Sequence, residues 1–255
     1  MSLGIPTKIN RLLSSWPAGT AALTRWLDSS GVSSQLRQRY LDTGWLQGFG
    51  RGAVIRAGDD VDVMGGLYAL QQQGGMKIHV GGRTALGMQG LAHYLELNPT
   101  NIVLFAPRAV TLPAWFKNRD WGLTAELYNT DFLPSDIGLV DLESKQFTVL
   151  GSGRARAFME CLYLAPTDFD LVEAYEIAQG LGTLRPDNVQ GLLMACRSVK
   201  VTRLFLYLAE KAGHNWLKYL DLPAIDLGRG NRTLEAGGAY IPKYKIVVPR
   251  ELAEL

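Results

Sequence analysis

The sequence predicts an α+β chain: an N-terminal winged helix-turn-helix followed by a mixed α/β body. Three observations carry this. Three amphipathic helical segments separated by short turns fall within the first 42 residues. A glycine-flanked hairpin pattern follows them directly. Beyond about residue 100, strand and helix patterns occur without the strict alternation of a parallel βαβ fold.

The first helical pattern spans Ile5 to Leu13, with Ile5, Ile9, Leu12 and Leu13 on one face. Trp16-Pro17-Ala18-Gly19 ends it, because proline cannot continue a helix and glycine tolerates the exit. Thr20 is the predicted N-cap of a second helix with Leu23, Trp26 and Leu27 inward. After the turn Ser29-Ser30-Gly31, Ser33 is the predicted N-cap of a third helix ending near Asp42. On a helical wheel Val32, Leu36 and Tyr40 face inward. Ser34, Gln35 and Gln38 lie opposite, with Arg37 and Arg39 on the flanks. That is the layout of a groove-reading helix, in which short polar side chains meet base edges and flanking arginines hold phosphates. The stretch from Trp45 to Arg56 reads as a hairpin with a Gly50-Arg51-Gly52 tip, which makes it a wing.

Charge supports the same reading. Residues 1–58 hold Lys8, Arg11, Arg25, Arg37, Arg39, Arg51 and Arg56 against Asp28 and Asp42, although the whole chain of 255 residues is only +2. A basic head on a mildly acidic body points to a polyanion. The predicted DNA-contacting residues are therefore Lys8, Ser33, Ser34, Gln35, Arg37, Gln38, Arg39, Arg51 and Arg56, and the predicted partner is double-stranded DNA. The alternative is a winged-helix module that binds protein.

Composition excludes several other classes. Hydrophobic residues make up 47% and charged residues 20%, which is ordinary for a globular protein and not for a disordered or collagen-like one. The two cysteines, Cys161 and Cys196, lie far apart in apolar stretches and suggest neither a disulfide framework nor a metal knuckle. His79, His93 and His214 are scattered, so no metal or other cofactor is expected. The longest apolar runs, such as Ile102–Phe105, fall far short of a membrane span. No basic-then-apolar leader opens the chain, so a cytoplasmic setting is expected.

Downstream, Asp59-Asp60-Val61-Asp62 reads as the start of a helix from Val63 to about Gln73. A short strand is predicted at Lys77–Val80. Gly81-Gly82-Arg83-Thr84 reads as a capping turn, with phosphate binding as the alternative, and leads into a helix from Ala85 to Leu95. His93 reads as a packed or surface histidine. Strands are expected at Ile102–Ala106, Leu123–Asn129, Ile137–Asp141 and Gln146–Leu150, the last two joined by a loop at Leu142–Lys145. Helices are expected at Arg154–Leu164, Leu171–Gln179, Val189–Val199 and Val201–Ala212, and a last strand at Tyr244–Val248. Within the last two helices Arg197, Lys200, Arg203, Glu210 and Lys211 read as a solvated charged face.

Gly151-Ser152 with Asp168 and Asp170 is the one catalytic pattern in the body, similar to the glycine-serine plus paired-aspartate motif of nucleotidyltransferases. Its context argues against it. Asp168-Phe169-Asp170 opens an amphipathic helix, where aspartates act as caps. The chain is not expected to be an enzyme.

Particular segments resemble a known family. Gly31–Tyr40, Gly44-Trp45-Leu46 and Gly50-Arg51-Gly52 resemble the winged-helix head of AbiEi-type antitoxins. Leu67–Gln71, His79–Leu86 and Gln89–Leu95 are similar to the segment that follows that head. Leu184-Arg185-Pro186, Cys196–Val201 and Arg203–Glu210 are similar to the family's C-terminal domain. The resemblance implies a type IV toxin–antitoxin system acting in phage abortive infection. It implies an antitoxin that represses its own operon through the winged head, and a partner toxin resembling a nucleotidyltransferase that is opposed without a stable complex. The expected division is a winged-helix domain with trailing helices at 1–96 and an antitoxin domain at 97–255. A fragment starting near Asn98 is then expected to fold and protect against the toxin by itself.

Overall fold

The computed structural model describes residues 8–91 and 100–255. Ile5, His93 and Leu95, with the predicted helix ends around them, lie outside the described residues. Two compact units divide the chain, and neither is one continuous stretch. The first comprises Met1–Ile78, Ala109–Ala125 and Asp141–Leu150; the second comprises His79–Arg108, Glu126–Val140 and Gly151–Leu255.

In the first unit α1 (Lys8–Ser15) leads to β1 (Ala22–Leu23), α2 (Thr24–Ser29), α3 (Ser34–Asp42), β2 (Leu46–Gly48) and β3 (Ala53–Arg56). The strands form an antiparallel sheet in the order β1-β3-β2, with Ala22 opposite Val54 and Gln47 opposite Ile55. A helix, a short strand, two more helices and a hairpin, in that order, are the connectivity expected of a winged helix-turn-helix. Leu12, Trp16, Ala22, Leu27, Val32, Leu46 and Val54 form its core, and Leu36 and Tyr40 pack against it as the wheel predicts.

The second helix starts later than predicted. Ala22 and Leu23 pair with Val54 and Ala53 instead, and the Thr24 N–H donates to the Gly52 carbonyl. Thr20 therefore caps nothing; its hydroxyl donates to the Pro17 carbonyl. The strand partner lies far along the chain, so helical periodicity could not register it. Ser33 does cap α3, accepting from the Leu36 N–H.

Asp62 caps α4 (Val63–Tyr68) by accepting from the Gly65 N–H at 2.9 Å, and the helix continues as a π-turn over Ala69–Gln73. The acidic run is thus a helix start, as predicted. Two short pieces of later chain, Ala109–Ala125 and Asp141–Leu150, complete this unit. Trp115 and Phe116, from α6 (Ala114–Lys117), are buried in it. Gly66 lies so close to Trp121 and Phe116 that a Cβ there would come within 2.8 Å of the Trp121 ring. A cut at residue 96 or 97 would separate these aromatic rings from the surfaces that bury them.

The second unit is built around β4 (His79–Val80), with α5 (Gly82–Met88) after it. β4 pairs antiparallel with β5 (Asn101–Ala106) and parallel with β8 (Phe147–Ser152). β6 (Thr124–Asn129) and β7 (Leu139–Ser144) are the outer strands of the order β6-β5-β4-β8-β7, and Asp141–Ser144 of β7 and Phe147–Leu150 of β8 belong to the first unit. The β7–β8 turn is tighter than the predicted Leu142–Lys145 loop. Leu142, Glu143 and Ser144 stay in the strand, and Lys145 makes the turn at φ 53°.

The helices α7 (Arg154–Leu164), α8 (Leu171–Gln179), α9 (Pro186–Ala195) and α10 (Val199–Lys211) follow. α9 begins earlier than predicted, because Pro186 suits a first helical position. It ends at Ala195, and Ser198 caps α10. A small sheet of β9 (Arg232–Thr233), β10 (Ala239–Ile241) and β11 (Ile246–Val248) in the order β10-β11-β9, and then α11 (Arg250–Glu254), complete the unit.

Two polar networks hold the second unit together. Glu160 is fully buried and accepts from His79 Nε2 at 2.9 Å, the Ser152 hydroxyl at 2.7 Å, Arg156 Nε at 2.9 Å and the Gly82 N–H at 3.0 Å. Burial alone would raise the Glu160 carboxyl, but His79, Arg156 and the Gly82 N–H outweigh it and hold it below the usual carboxylate range. The start of α5 therefore meets a carboxylate of the protein itself. A Cβ on Gly81 would stand 2.4 Å from that carboxylate, which accounts for glycine there.

The second network corrects part of the expected solvated face, of which Arg197 and Glu210 are exposed. Arg203 is only 1% exposed and donates to the carbonyls of Leu227, Gly228, Gly230 and Lys245. Lys200 donates to the Tyr163 and Ala165 carbonyls. The carbonyls that bind both side chains lie more than twenty positions from them in sequence, out of reach of a wheel argument.

Candidate nucleic-acid interface

The exposed side of α3 is where a groove-reading surface would form. Ser33, Ser34, Gln35, Gln38 and Arg39 are all exposed there, and the hydrophobic side of the same helix packs against the head's core. Gln38 Nε2 donates to Asp42 Oδ1 at 2.8 Å one turn on, which fixes the amide and leaves its oxygen free of that bond. Lys8 is exposed at the start of α1. Arg51 is exposed at the wing tip, between Gly50 at φ 107° and Gly52 at φ 95°. These left-handed conformations turn the chain over at the tip and suit glycine.

Two predicted phosphate contacts are engaged inside the protein. Arg37 Nη1 lies 2.7 Å from Asp28 Oδ1 and also reaches the Thr24 carbonyl, so it joins α3 to α2. Arg56 donates to the Leu13 carbonyl at 2.6 Å, with its guanidinium 5.3 Å from the centre of the Trp16 ring. It stands on the face of β3 that packs toward α1, away from the wing's outer side. The wheel and the hairpin alternation could not see either partner, because both lie on other elements.

Other side chains join this surface unpredicted. Trp45, between α3 and β2, is 51% exposed. The wing's first loop residue, Phe49, is 2% exposed, with ring centres of Trp115 and Trp121 at 6.0 and 5.9 Å. The Arg119 guanidinium lies 3.4 Å from the centre of the Phe49 ring. This stacking takes water off part of the guanidinium and lowers its pKa from the ordinary arginine value, while the residue as a whole remains exposed. Nothing local to the wing signals these contacts, since the aromatic residues lie more than sixty positions downstream.

The nucleotidyltransferase-like pattern dissolves into structural duties. Asp170 caps α8, accepting from the Val172 and Glu173 N–H groups. Ser152 is buried with its hydroxyl on Glu160, and Asp168 is exposed just before the α8 cap. Among the described residues no group of three or more His, Cys, Asp or Glu could hold a metal ion. Both cysteines are free, and burial raises both thiols. Among the described residues no helix is long and apolar enough to cross a membrane. The second unit holds a cavity of about 850 Å³ along the first turns of α7 and α9. Its wall carries Arg154, Arg156 and Arg185 together with Asp136 and Asp187, a mixture that selects neither sign of ligand.

Residues 99–249 match the family described as transcriptional regulator, AbiEi antitoxin, of type IV toxin–antitoxin systems. The chain belongs to the AbiEi antitoxin family. Residues 6–97 of this AbiEi chain match the family's N-terminal domain, also described as a transcriptional regulator. The family is one of regulators and antitoxins rather than of enzymes. No curated protein matches the chain. Among solved structures it is similar to the RV2827C protein from Mycobacterium tuberculosis, at 15% identity and a TM-score of 0.60. That match covers 98% of this chain and 94% of the other, and it shows the fold alone.

Proposed function

We propose that this AbiEi chain represses its own toxin–antitoxin operon by binding operator DNA through α3 and the wing, and that it opposes a nucleotidyltransferase-like toxin. One observation carries the DNA reading: a row of exposed polar side chains on α3 beside an exposed arginine at the wing tip. Ser33, Ser34, Gln35 and Gln38 are assigned to the groove. Lys8, Arg39 and Arg51 are assigned to phosphates. Arg37 and Arg56 are assigned to the head's own packing, for the contacts described above. The toxin is opposed without a stable complex, as the family resemblance implies.

The test is a titration of full-length protein against duplex DNA from upstream of its own reading frame. Arg51→Ala is expected to weaken binding to all sequences alike. It should also reduce the slope of log affinity against log salt by about 0.9. An unchanged slope removes the wing from the interface. Failure of the wild-type protein to bind any duplex removes the DNA reading. Co-expression with a neighbouring nucleotidyltransferase-like reading frame tests the second half; continued growth arrest overturns it.

A further inference from the structure

We propose that the DNA-contacting surface extends beyond the wing to Lys117 and Arg119, two cations on a downstream segment that packs against the wing loop. This rests on the reading of the head as a DNA-binding element and adds residues to it. The segment lies outside the stretch that matches the family's N-terminal domain, which ends at residue 97.

The wing loop is seated on this segment. Phe49 is buried beneath Trp115, Trp121 and the Arg119 guanidinium. Gly50 approaches so closely that a Cβ there would lie 2.8 Å from the Cβ of Trp115. The Trp121 indole donates to the Phe116 carbonyl at 2.9 Å and closes the turn that holds Lys117 and Arg119. The loop and the turn therefore form one packed body within the first unit. Arg51 at the tip is two residues from Phe49, and Arg119 stacks on Phe49 itself.

Charge and geometry then favour phosphate. Lys117 and Arg119 are both exposed, and among the described residues neither has an acidic partner within ion-pair distance. The nearby Asp120 carboxylate accepts from the Gly122 N–H at 2.9 Å. Stacking uses the face of a guanidinium and leaves the N–H donors in the guanidinium's own plane free, the fork that matches phosphate oxygens. Holding that fork on a buried aromatic ring removes much of the side-chain entropy that a free arginine loses on binding.

The experiment uses the full chain, a fluorescent duplex from upstream of its reading frame and a scrambled duplex of equal length. Lys117→Ala and Arg119→Ala are each expected to weaken binding to both duplexes. Each should reduce the salt slope by about 0.9. That changes the ratio of wild-type to variant affinity about 3.5-fold between about 50 and about 200 mM salt. Arg119→Ala also uncovers Phe49, so Arg119→Lys accompanies it and should restore the slope, and Lys117→Ala carries the test if Arg119→Ala melts early. A loss at only one position keeps the segment in the interface through that residue. Wild-type slopes for both alanine variants, while Arg51→Ala loses its share, overturn the proposal and leave the DNA reading standing. No binding by wild-type protein overturns both.

Discussion

Removing the Glu160 carboxylate is expected to be among the costliest single changes to the second unit. Four groups converge on it, and it has no exposure to water. Glu160→Ala leaves Arg156, itself 4% exposed, as a buried charge whose remaining partners are the Pro134 and Ile137 carbonyls. Breaking a buried pair in this way costs about 3–5 kcal/mol. For a chain of this size that corresponds to a drop of about 6–20 °C in melting temperature. Glu160→Gln keeps the volume but turns one acceptor into a donor facing donors, so a smaller drop is expected.

The pH dependence gives a second readout. The Glu160 pKa is held below its ordinary value, so its contribution is complete above the usual carboxylate range near about 4.3. It is lost as pH falls through the lowered folded value. The gap in melting temperature between wild type and Glu160→Gln should therefore be constant near neutrality and narrow in acid. Circular dichroism melts across that range give the answer. A Glu160→Ala melt within about 2 °C of wild type, or a gap that widens in acid, would refute the account of the network.

Further outcomes concern the head and the division of the chain. Gln38→Ala should cost about 1–3 kcal/mol of discrimination at one base position, read from an operator mutation series; an unchanged preference removes Gln38 from readout. Arg56→Ala should lower stability by about 1–3 kcal/mol through its lost bond to Leu13 and its lost stacking on Trp16. Its salt slope on DNA should stay at the wild-type value, and a reduced slope would return Arg56 to the phosphate set. A fragment starting at Asn98 should fail to melt cooperatively and should bind a hydrophobic dye. It keeps Trp115 and Phe116 but lacks Phe49 and Gly66, which pack against them. A sharp melt from that fragment would show that the later segments hold a core of their own.

The sequence alone determined the parts of the fold that local periodicity and capping control. Ser33 before α3, Asp62 before α4 and Asp170 before α8 are caps read from residue type, because a short oxygen-bearing side chain satisfies N–H groups only two or three residues away. The inward face of α3 and the glycines of the wing follow from angles set within a few residues. The family, too, was legible from segments in order along the chain.

Tertiary structure alone decided where the charged side chains go. Arg37 and Arg56 read as outward from periodicity, yet Asp28, the Leu13 carbonyl and the Trp16 ring draw them into the head. Arg203 reads as solvated, yet four loop carbonyls bury it. A long cationic side chain can reach several ångströms from its own backbone. Its position is set by whichever acceptors and rings the fold brings within that reach. The same holds for Trp115, Phe116 and Trp121, which join the wing's unit rather than their sequence neighbours. Apolar burial depends on which surfaces meet in space, and no pattern within a single segment encodes its distant partner.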